Sequence, residues 1–127
     1  MAEKKILLVE DNAVNRRLAG FLLRSQGYEV IEAESASVAF EMIEKHRPAL
    51  IVMDIQLPGM DGLEATRNLK QQPATADIPV IAVTSYAMKG DREKALAAGC
   101  AGYVTKPIDK TIFLQEIAAR LAAKQNS

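Results

Sequence analysis

The sequence has one cysteine, no tryptophan and no long apolar run. A single cysteine, Cys100, cannot form an internal disulfide, and no cluster of cysteine and histidine suggests a zinc site. Only four apolar residues separate the opening Met-Ala-Glu-Lys-Lys from Glu10, too few for a signal peptide, and no later stretch could span a bilayer. We therefore expect a cytoplasmic protein without a membrane partner, in which Cys100 is a small buried residue.

The sequence also lacks an excess of either charge. Sixteen basic residues balance sixteen acidic ones, so the overall charge offers no basic surface for nucleic acid. A length of 127 residues suits one domain with a substantial core and is short for two. We expect residues 1–127 to form a single domain, and any effect on DNA to require a protein partner.

Short apolar runs alternate with segments that have helical spacing. The runs are Ile6 to Val9, Val30 to Ala33, Leu50 to Met53, Val80 to Val83 and Tyr103 to Thr105. Several of them are apolar at every position, which is typical of strands buried on both faces of a sheet. The pattern predicts an α/β fold with a parallel five-stranded sheet covered by helices on both sides.

The intervening segments carry helix signals of unequal strength. Two apolar stripes are expected to face the sheet, formed by Val14, Leu18, Phe21 and Leu22 before Gly27, and by Ala39, Met42 and Ile43. Ser35 and Asp61 are suited to begin the second and third helices, and Phe113, Ile117 and Leu121 mark the last one. The helix after the fourth strand has the weakest signal. Residues 89–94 are almost wholly polar, so little apolar surface precedes Leu96 and we expect a loosely held segment.

Polar residues follow four of the predicted strands. Glu10 and Asp11 follow the first, and Asp54, Thr84 and Lys106 follow the third, fourth and fifth. Each alone has an ordinary explanation as a cap, turn, strand or surface residue. In a parallel sheet, however, the carboxyl ends of the strands meet at one edge, where three carboxylates would repel each other unless a cation neutralised them. The pattern predicts a magnesium site, with a lysine and a threonine able to contact a phosphoryl group.

At this point the chain resembles the receiver domain of two-component response regulators. The matching segments are Glu10-Asp11, Asp54 to Gly62, Thr84-Ser85 and Lys106-Pro107, and the resemblance covers essentially the whole chain. It implies a flavodoxin-like (CheY-like), doubly wound sheet with strand order 2-1-3-4-5 and five helices on its two faces. The stretch from Ala87 to Asp91 is most similar to small stand-alone receivers such as DivK, and to receivers within hybrid histidine kinases.

The resemblance implies a ligand set for magnesium. Asp11 would bind the ion directly and Glu10 mostly through water, with Asp54 and the backbone carbonyl of Gln56 as further ligands. Glu10 stands where many receivers have aspartate, and its longer side chain suits a contact through water. The Lys106-Pro107 bond is cis in the family, whereas the sequence by itself leaves the isomer open.

The resemblance also implies a phosphoryl transfer. Asp54 would be the phosphoacceptor, taking the group from a phosphohistidine of a histidine kinase or a phosphotransfer protein, with Lys106 and Thr84 stabilising it. Thr84 would then move toward the phosphoryl group and vacate space for Tyr103 to turn inward. The face read by a downstream protein would be the fourth helix, fifth strand and fifth helix.

Two positions are expected to set how long the signal lasts. Gln56 and Tyr86 flank the path of hydrolytic water in relatives, and neither is a carboxylate that could act as a base. We expect slow self-dephosphorylation. The chain would be no turnover enzyme on external substrates and would act as a monomer or a phosphorylation-dependent dimer.

Three other interpretations are considered. A haloacid dehalogenase-type phosphatase needs an acid two residues after its nucleophile, where this chain has Gln56. A flavodoxin-like electron carrier would place the flavin phosphate near the acidic loop of residues 10–15, which would repel it. A receiver excised from a larger regulator or hybrid kinase is disfavoured because the chain starts at Met1 and ends soon after its last predicted helix. We therefore expect a stand-alone response regulator.

Overall fold

Strands and helices alternate strictly along the chain. The computed structural model describes residues 4–85 and 90–125. The strands are β1 (Lys5–Val9), β2 (Glu29–Ala33), β3 (Leu50–Asp54), β4 (Val80–Thr84) and β5 (Gly102–Thr105). The helices are α1 (Ala13–Ser25), α2 (Ala36–His46), α3 (Gly62–Gln71), α4 (Asp91–Ala98) and α5 (Lys110–Gln125). All five predicted strands are present within a residue of their predicted bounds.

The strands form one parallel sheet in the order β2-β1-β3-β4-β5. This order, implied by the family resemblance, is confirmed. Because the chain enters the sheet at β1 and builds outward in two directions, the order reverses between β1 and β3. Ligand sites of such sheets lie beside that reversal, at the carboxyl ends of the strands.

Successive strand residues point to opposite faces of the sheet, and each face has its own core. One face packs against α2, α3 and α4, with Leu7, Ile51 and Ala82 among its buried residues. The other packs against α1 and α5, with Leu8 and Phe113 among them. None of the helices within the described ranges is both long and apolar enough to cross a bilayer.

Side-chain caps begin four of the helices. The side chains of Asn12, Ser35, Asp61 and Asp109 accept hydrogen bonds from the backbone amides of Asn15, Val38, Glu64 and Ile112, three residues on. The caps predicted at Ser35 and Asp61 are thus confirmed. The cap at Asn12 begins α1 immediately after the acid pair, so helix and acids are fixed relative to each other.

The prediction of which apolar residues of α1 pack against the sheet is mostly wrong. Val14, Leu18 and Phe21 are 72%, 49% and 64% exposed, and the helix instead buries Ala19, Gly20, Leu22 and Leu23. The two sets lie side by side on the helix and share Leu22 at their boundary. Ala19 is small and buried, and α1 packs against the sheet through Ala19, Leu22 and Leu23. The larger apolar residues are left facing outward.

Helix α4 is short, and its apolar contact differs from the expected one. Leu96 is half-exposed, whereas Ala95 and Ala98 are buried. The helix begins after Gly90, which has a positive φ of 96° and offers no side chain to cap it. Lys89, expected in this segment, lies outside the described residues. The residues that α4 buries are these two alanines, which contribute little apolar area.

Candidate active site at the carboxyl edge of the sheet

The five predicted site residues all lie at the carboxyl edge of the sheet. Glu10 and Asp11 follow β1, Asp54 ends β3, and Thr84 ends β4. Lys106 follows β5, and its backbone amide donates to the Thr84 carbonyl at 2.7 Å. The parallel arrangement brings together residues that are far apart in sequence.

Lys106 joins two of the acids. Its Nζ lies 2.6 Å from Oε1 of Glu10 and 3.2 Å from Oδ2 of Asp54. Glu10 and Asp54 are 4% and 3% exposed, so this is a largely buried cluster. The Lys106-Pro107 peptide bond is cis, as it is in the family. The sequence interpretation assigned Lys106 to a phosphoryl group and did not include the contact to Glu10.

The surroundings shift the proton affinities of this cluster. Burial raises the pKa of Glu10, and the neighbouring Asp54 raises it further, although Lys106 acts in the opposite direction. For Lys106 the effect of burial has the opposite sign and lowers the pKa. The contacts with Glu10 and Asp54 raise the pKa by more than burial lowers it, so the net shift is upward. The lysine is therefore firmly charged, whereas Glu10 holds a proton more readily than an exposed glutamate does.

Asp11 completes a cluster of three acids. Each of Glu10, Asp11 and Asp54 offers a carboxylate oxygen, and these oxygens lie within 4.8 Å of one another. Asp11 is exposed whereas the other two are buried, so the cluster opens to solvent on the Asp11 side. Three carboxylates face one ammonium, which leaves two negative charges. A divalent cation with a preference for oxygen ligands matches both the charge and the donor set.

Backbone amides hold the acids in place. The amide of Gln56 donates to Oδ1 of Asp54 at 3.0 Å, and the amide of Asn12 donates to Oε2 of Glu10 at 3.3 Å. Gln56 lies two residues after Asp54, the last residue of β3. Tyr86, the other residue expected to affect hydrolysis, lies outside the described residues.

Thr84 and Tyr103 lie on the same face of the sheet. Ala82 is opposite Tyr103 in the register of β4 and β5, and Thr84 is two residues further along β4, so it is the diagonal neighbour of Tyr103. Thr84 is buried, and Tyr103 is partly buried against the core on the α2, α3 and α4 side. Burial raises the pKa of Tyr103, and Asp91 and Glu93 of α4 raise it further. Tyr103 thus lies between the site and α4.

Sequence reasoning missed two features of the site, the Asn12 amide contact and the ion pair of Glu10 with Lys106. The first had a signal, since Asn12 is a favoured cap residue directly after the acid pair. The second joins residues 96 positions apart and depends on the side-chain conformations of both partners. No pattern in the chain indicates it.

Comparisons with known proteins agree with this geometry. The family model of the response regulator receiver domain matches residues 6–118. The polar-differentiation response regulator DivK of Brucella anthropi is 44% identical over 118 residues, covering 93% of this chain and 96% of DivK. The predicted likeness to DivK is therefore confirmed.

Solved structures lead to the same family. One similar structure is the receiver domain of a sensor histidine kinase from Pseudomonas aeruginosa, which has a magnesium ion coordinated in its active-site cleft. It has a TM-score of 0.87 and 37% sequence identity, and the match covers 95% of this chain and 99% of that chain. A CheY-like receiver domain protein from Methanospirillum hungatei has a TM-score of 0.90 and 29% identity, with 98% of each chain covered. The fold, the edge cluster and the family match together establish that this chain belongs to the receiver-domain family of two-component response regulators.

Proposed function

We propose that this chain is a stand-alone receiver of a phosphorelay, in which Asp54 accepts a phosphoryl group from a phosphohistidine of a histidine kinase or phosphotransfer protein. The observation that carries the proposal is the meeting of Asp54 with Glu10, Asp11 and Lys106 at one edge of the sheet. The similarity to DivK along nearly the whole of both chains supports the stand-alone role. The same chemistry would operate in a receiver attached to a larger regulator or hybrid kinase.

Magnesium is the proposed cofactor. Glu10, Asp11 and Asp54 provide the oxygen ligands that this ion prefers, and the carbonyl of Gln56 is a further proposed ligand. The ion coordinated in the Pseudomonas receiver supports the assignment. When bound, magnesium supplies positive charge that neutralises the acids and the oxygens of the incoming phosphoryl group.

Asp54 acts as the nucleophile. One carboxylate oxygen forms a bond to phosphorus while the bond between phosphorus and the histidine nitrogen breaks, and the imidazole leaves with that electron pair. Lys106, already 3.2 Å from Asp54, pairs with a phosphoryl oxygen, and the Thr84 hydroxyl donates to another. The Gln56 amide holds Oδ1 of Asp54 and so limits rotation of the carboxylate. Catalysis consists mainly of positioning and charge stabilisation.

Phosphorylation is proposed to change the surface formed by α4, β5 and α5. Movement of Thr84 toward the phosphoryl group would open space on the sheet face that it shares with Tyr103. Tyr103 would turn into that space and alter its contacts near Asp91 and Glu93 at the start of α4. Because the residues that α4 buries are two alanines, we expect its apolar packing to offer little resistance to a shift. A downstream protein would bind the altered face.

The exposed apolar residues of α1 support docking of the phosphohistidine donor on that helix. Leu18 lines a shallow depression together with Lys106 and Pro107, so the apolar surface continues to the site. A donor must bring its phosphohistidine to Asp54, and apolar surface beside the site provides contact area for it. A Phe21→Ser variant is expected to take up phosphate normally from acetyl phosphate and more slowly from a phosphohistidine protein. Equal slowing with both donors would contradict this docking surface.

The proposed chemistry is tested by the intact mass of the protein after incubation with acetyl phosphate. We expect an adduct of one phosphoryl group in the presence of magnesium and almost none after chelation with EDTA, because the acids would then repel the anionic donor. Replacing magnesium with the same concentration of sodium sulfate controls for ionic strength. An adduct of equal yield in EDTA would contradict the magnesium assignment.

A further inference from the structure

Arg16 links the loop of the proposed magnesium ligands to a neighbouring strand. Its Nη1 donates to the backbone carbonyl of Glu10 at 2.9 Å, and its Nε donates to Oε1 of Glu32 at 3.1 Å. Arg16 lies in the second turn of α1 and Glu32 lies on β2. The bond to the Glu10 carbonyl is partly shielded from water, whereas the bond to Glu32 is exposed. One guanidinium therefore connects α1, the end of β1 and β2.

The backbone of Glu10 is held on both sides by these elements. Its amide donates to the carbonyl of Ala33 on β2 at 3.0 Å, and its carbonyl accepts from Arg16. This carbonyl belongs to the peptide that joins Glu10 to Asp11. Because a peptide unit is planar, holding its oxygen also sets the direction in which the chain continues to Asp11. Asp11 is exposed, so the surrounding core does little to position it.

We propose that Arg16 is a positioning residue for magnesium binding. It orients the peptide between Glu10 and Asp11 so that the Asp11 carboxylate meets Glu10 and Asp54, and Glu32 holds the guanidinium in the required place. The inference rests on the proposed function, because it requires magnesium at these acids. Removing groups that orient metal ligands typically weakens metal binding by about 10- to 100-fold. Arg16 holds a backbone carbonyl, so we expect a loss of about tenfold, at the lower end of that range.

Charge alone predicts the opposite result. Arg16 is a cation close to the acid cluster, and its removal would make the local potential more negative and magnesium binding tighter. Positioning predicts weaker binding. The direction of the change therefore separates the two explanations.

Arg24 provides a matched control on the same helix. It lies about two turns further along α1, and its Nη2 donates to the other oxygen of Glu32, Oε2, at 2.8 Å. Its loss removes one positive charge and one ion pair with Glu32, as the loss of Arg16 does. The bond to the Glu10 carbonyl remains. If Arg16 only held α1 against β2, the Arg16 and Arg24 variants would bind magnesium with the same affinity.

Magnesium titration followed by backbone amide chemical shifts tests the inference. The native protein, Arg16→Met and Arg24→Met are compared, with the amides of Asn12 and Gln56 as reporters of the site. Unfolding curves without magnesium establish that each variant is folded at the temperature used. We expect Arg16→Met to bind magnesium about tenfold more weakly, and Arg24→Met to remain within about twofold of the native protein, as expected for a partly exposed pair.

Three results would overturn the inference. Unchanged or tighter binding by Arg16→Met would exclude positioning, and an equal loss in Arg24→Met would assign the effect to the Glu32 ion pairs. Absence of magnesium binding by the native protein would overturn the proposed function as well. If Arg16→Met does not fold, Arg16→Lys serves the same comparison. It keeps the charge, but its single ammonium cannot reproduce the forked contact with two acceptors, so weaker binding is again expected.

Discussion

Lys106 contacts Glu10 and Asp54 at the same time, and these contacts affect a cation and a phosphoryl group differently. The ammonium competes with magnesium for the acids but attracts the transferring group. We expect Lys106→Met to bind magnesium more tightly and to take up phosphate from acetyl phosphate about 100-fold more slowly, as is typical when one electrostatic contact to a transition state is lost. Amide-shift titration measures the first quantity and intact mass over time the second.

Lys70 offers the matched lysine control. Its Nζ donates to the carbonyls of Ala76 and Ile78 in the connection between α3 and β4, away from the acids. We expect Lys70→Met to lower the free energy of unfolding while leaving magnesium affinity unchanged. If Lys106→Met bound magnesium more weakly than the native protein, or took up phosphate at the native rate, the account of Lys106 would be wrong.

Gln56 has an amide where a carboxylate would provide a base for hydrolysis. Because a glutamine cannot take a proton from water, we expect the phosphoryl group on Asp54 to be lost slowly. A Gln56→Glu variant is expected to lose it faster, by on the order of tenfold or more, as is typical of a positioned base. Loss of labelled phosphate in magnesium measures both rates. Native hydrolysis as fast as in the quickest known receivers would contradict the prediction.

At the scale of elements, the start of α3 lies against the end of β3. A Cβ added at Gly62 would collide with the backbone carbonyl oxygen of Asp54 and lie 2.8 Å from the Cα of Ile55. Gly62→Ala must therefore displace either the helix or Asp54, the proposed phosphoacceptor. We expect the free energy of unfolding to fall by about 1–3 kcal/mol, as for overpacked sites, and phosphate uptake to slow. Urea unfolding and intact mass measure the two effects.

Gly20 in α1 is the control for this substitution. A Cβ there would meet the flexible end of Arg24, with Nη1 at 3.0 Å, and would lie at ordinary contact distance, 3.9 Å, from Oε2 of Glu32. An alanine in a helix interior is favoured over glycine by about 0.5–1 kcal/mol. We expect Gly20→Ala to be neutral or stabilising. Equal stability and uptake rate in Gly62→Ala and the native protein would show that the close approach of α3 to β3 is unimportant.

The ion pairs of Glu32 join α1 to β2 in a pH-dependent way. Hydrogen bonding from Arg24 lowers the pKa of Glu32, and Arg16 lowers it further, against a smaller opposing effect of burial. At pH values above 4.5, the pKa of Glu32 in the unfolded chain, the charged carboxylate therefore stabilises the folded state. This contribution is lost as the pH falls through the lower pKa that Glu32 has in the folded protein. Glu32→Gln should be less stable than the native protein at neutral pH, by on the order of 1 kcal/mol for partly exposed pairs.

Urea unfolding at a series of pH values measures this difference. We expect it to shrink as the pH falls below 4.5 and through the lower pKa of Glu32 in the folded protein, where the native Glu32 also becomes neutral. Glu29→Gln, on the same strand, controls for the loss of a β2 carboxylate, since no ion pair of Glu29 is found within the described ranges. A stability difference that stays constant across this range would contradict the assigned ion pairs.

At the scale of the whole molecule, the sequence predicted the strands and the edge cluster well. Strands β1, β3 and β4 are buried at nearly every position and are therefore mostly apolar, which makes them easy to locate. Parallel topology then brings their carboxyl ends together, so residues as distant as Glu10 and Lys106 meet without any local signal. The strand order came from the family resemblance, because periodicity contains no information on which strands are neighbours.

Side-chain packing was predicted less well. Two overlapping stripes on α1 have the same helical period, and the orientation of α1 on the sheet, which buries Ala19 and Leu23, decides which stripe is buried. The register of Arg16 against Glu32 likewise depends on how α1 lies over β2. These features arise when elements pack together, and a pattern along one element does not contain them.

The central claim is that Asp54 is the residue that takes the phosphoryl group. Intact mass after incubation with acetyl phosphate and magnesium tests it most directly, in the native protein, Asp54→Ala and Asp77→Asn. Asp77 is an exposed aspartate in the connection before β4, outside the acid cluster. We predict one phosphoryl adduct on the native protein and on Asp77→Asn, and none on Asp54→Ala. An adduct on Asp54→Ala at the native yield would contradict the account.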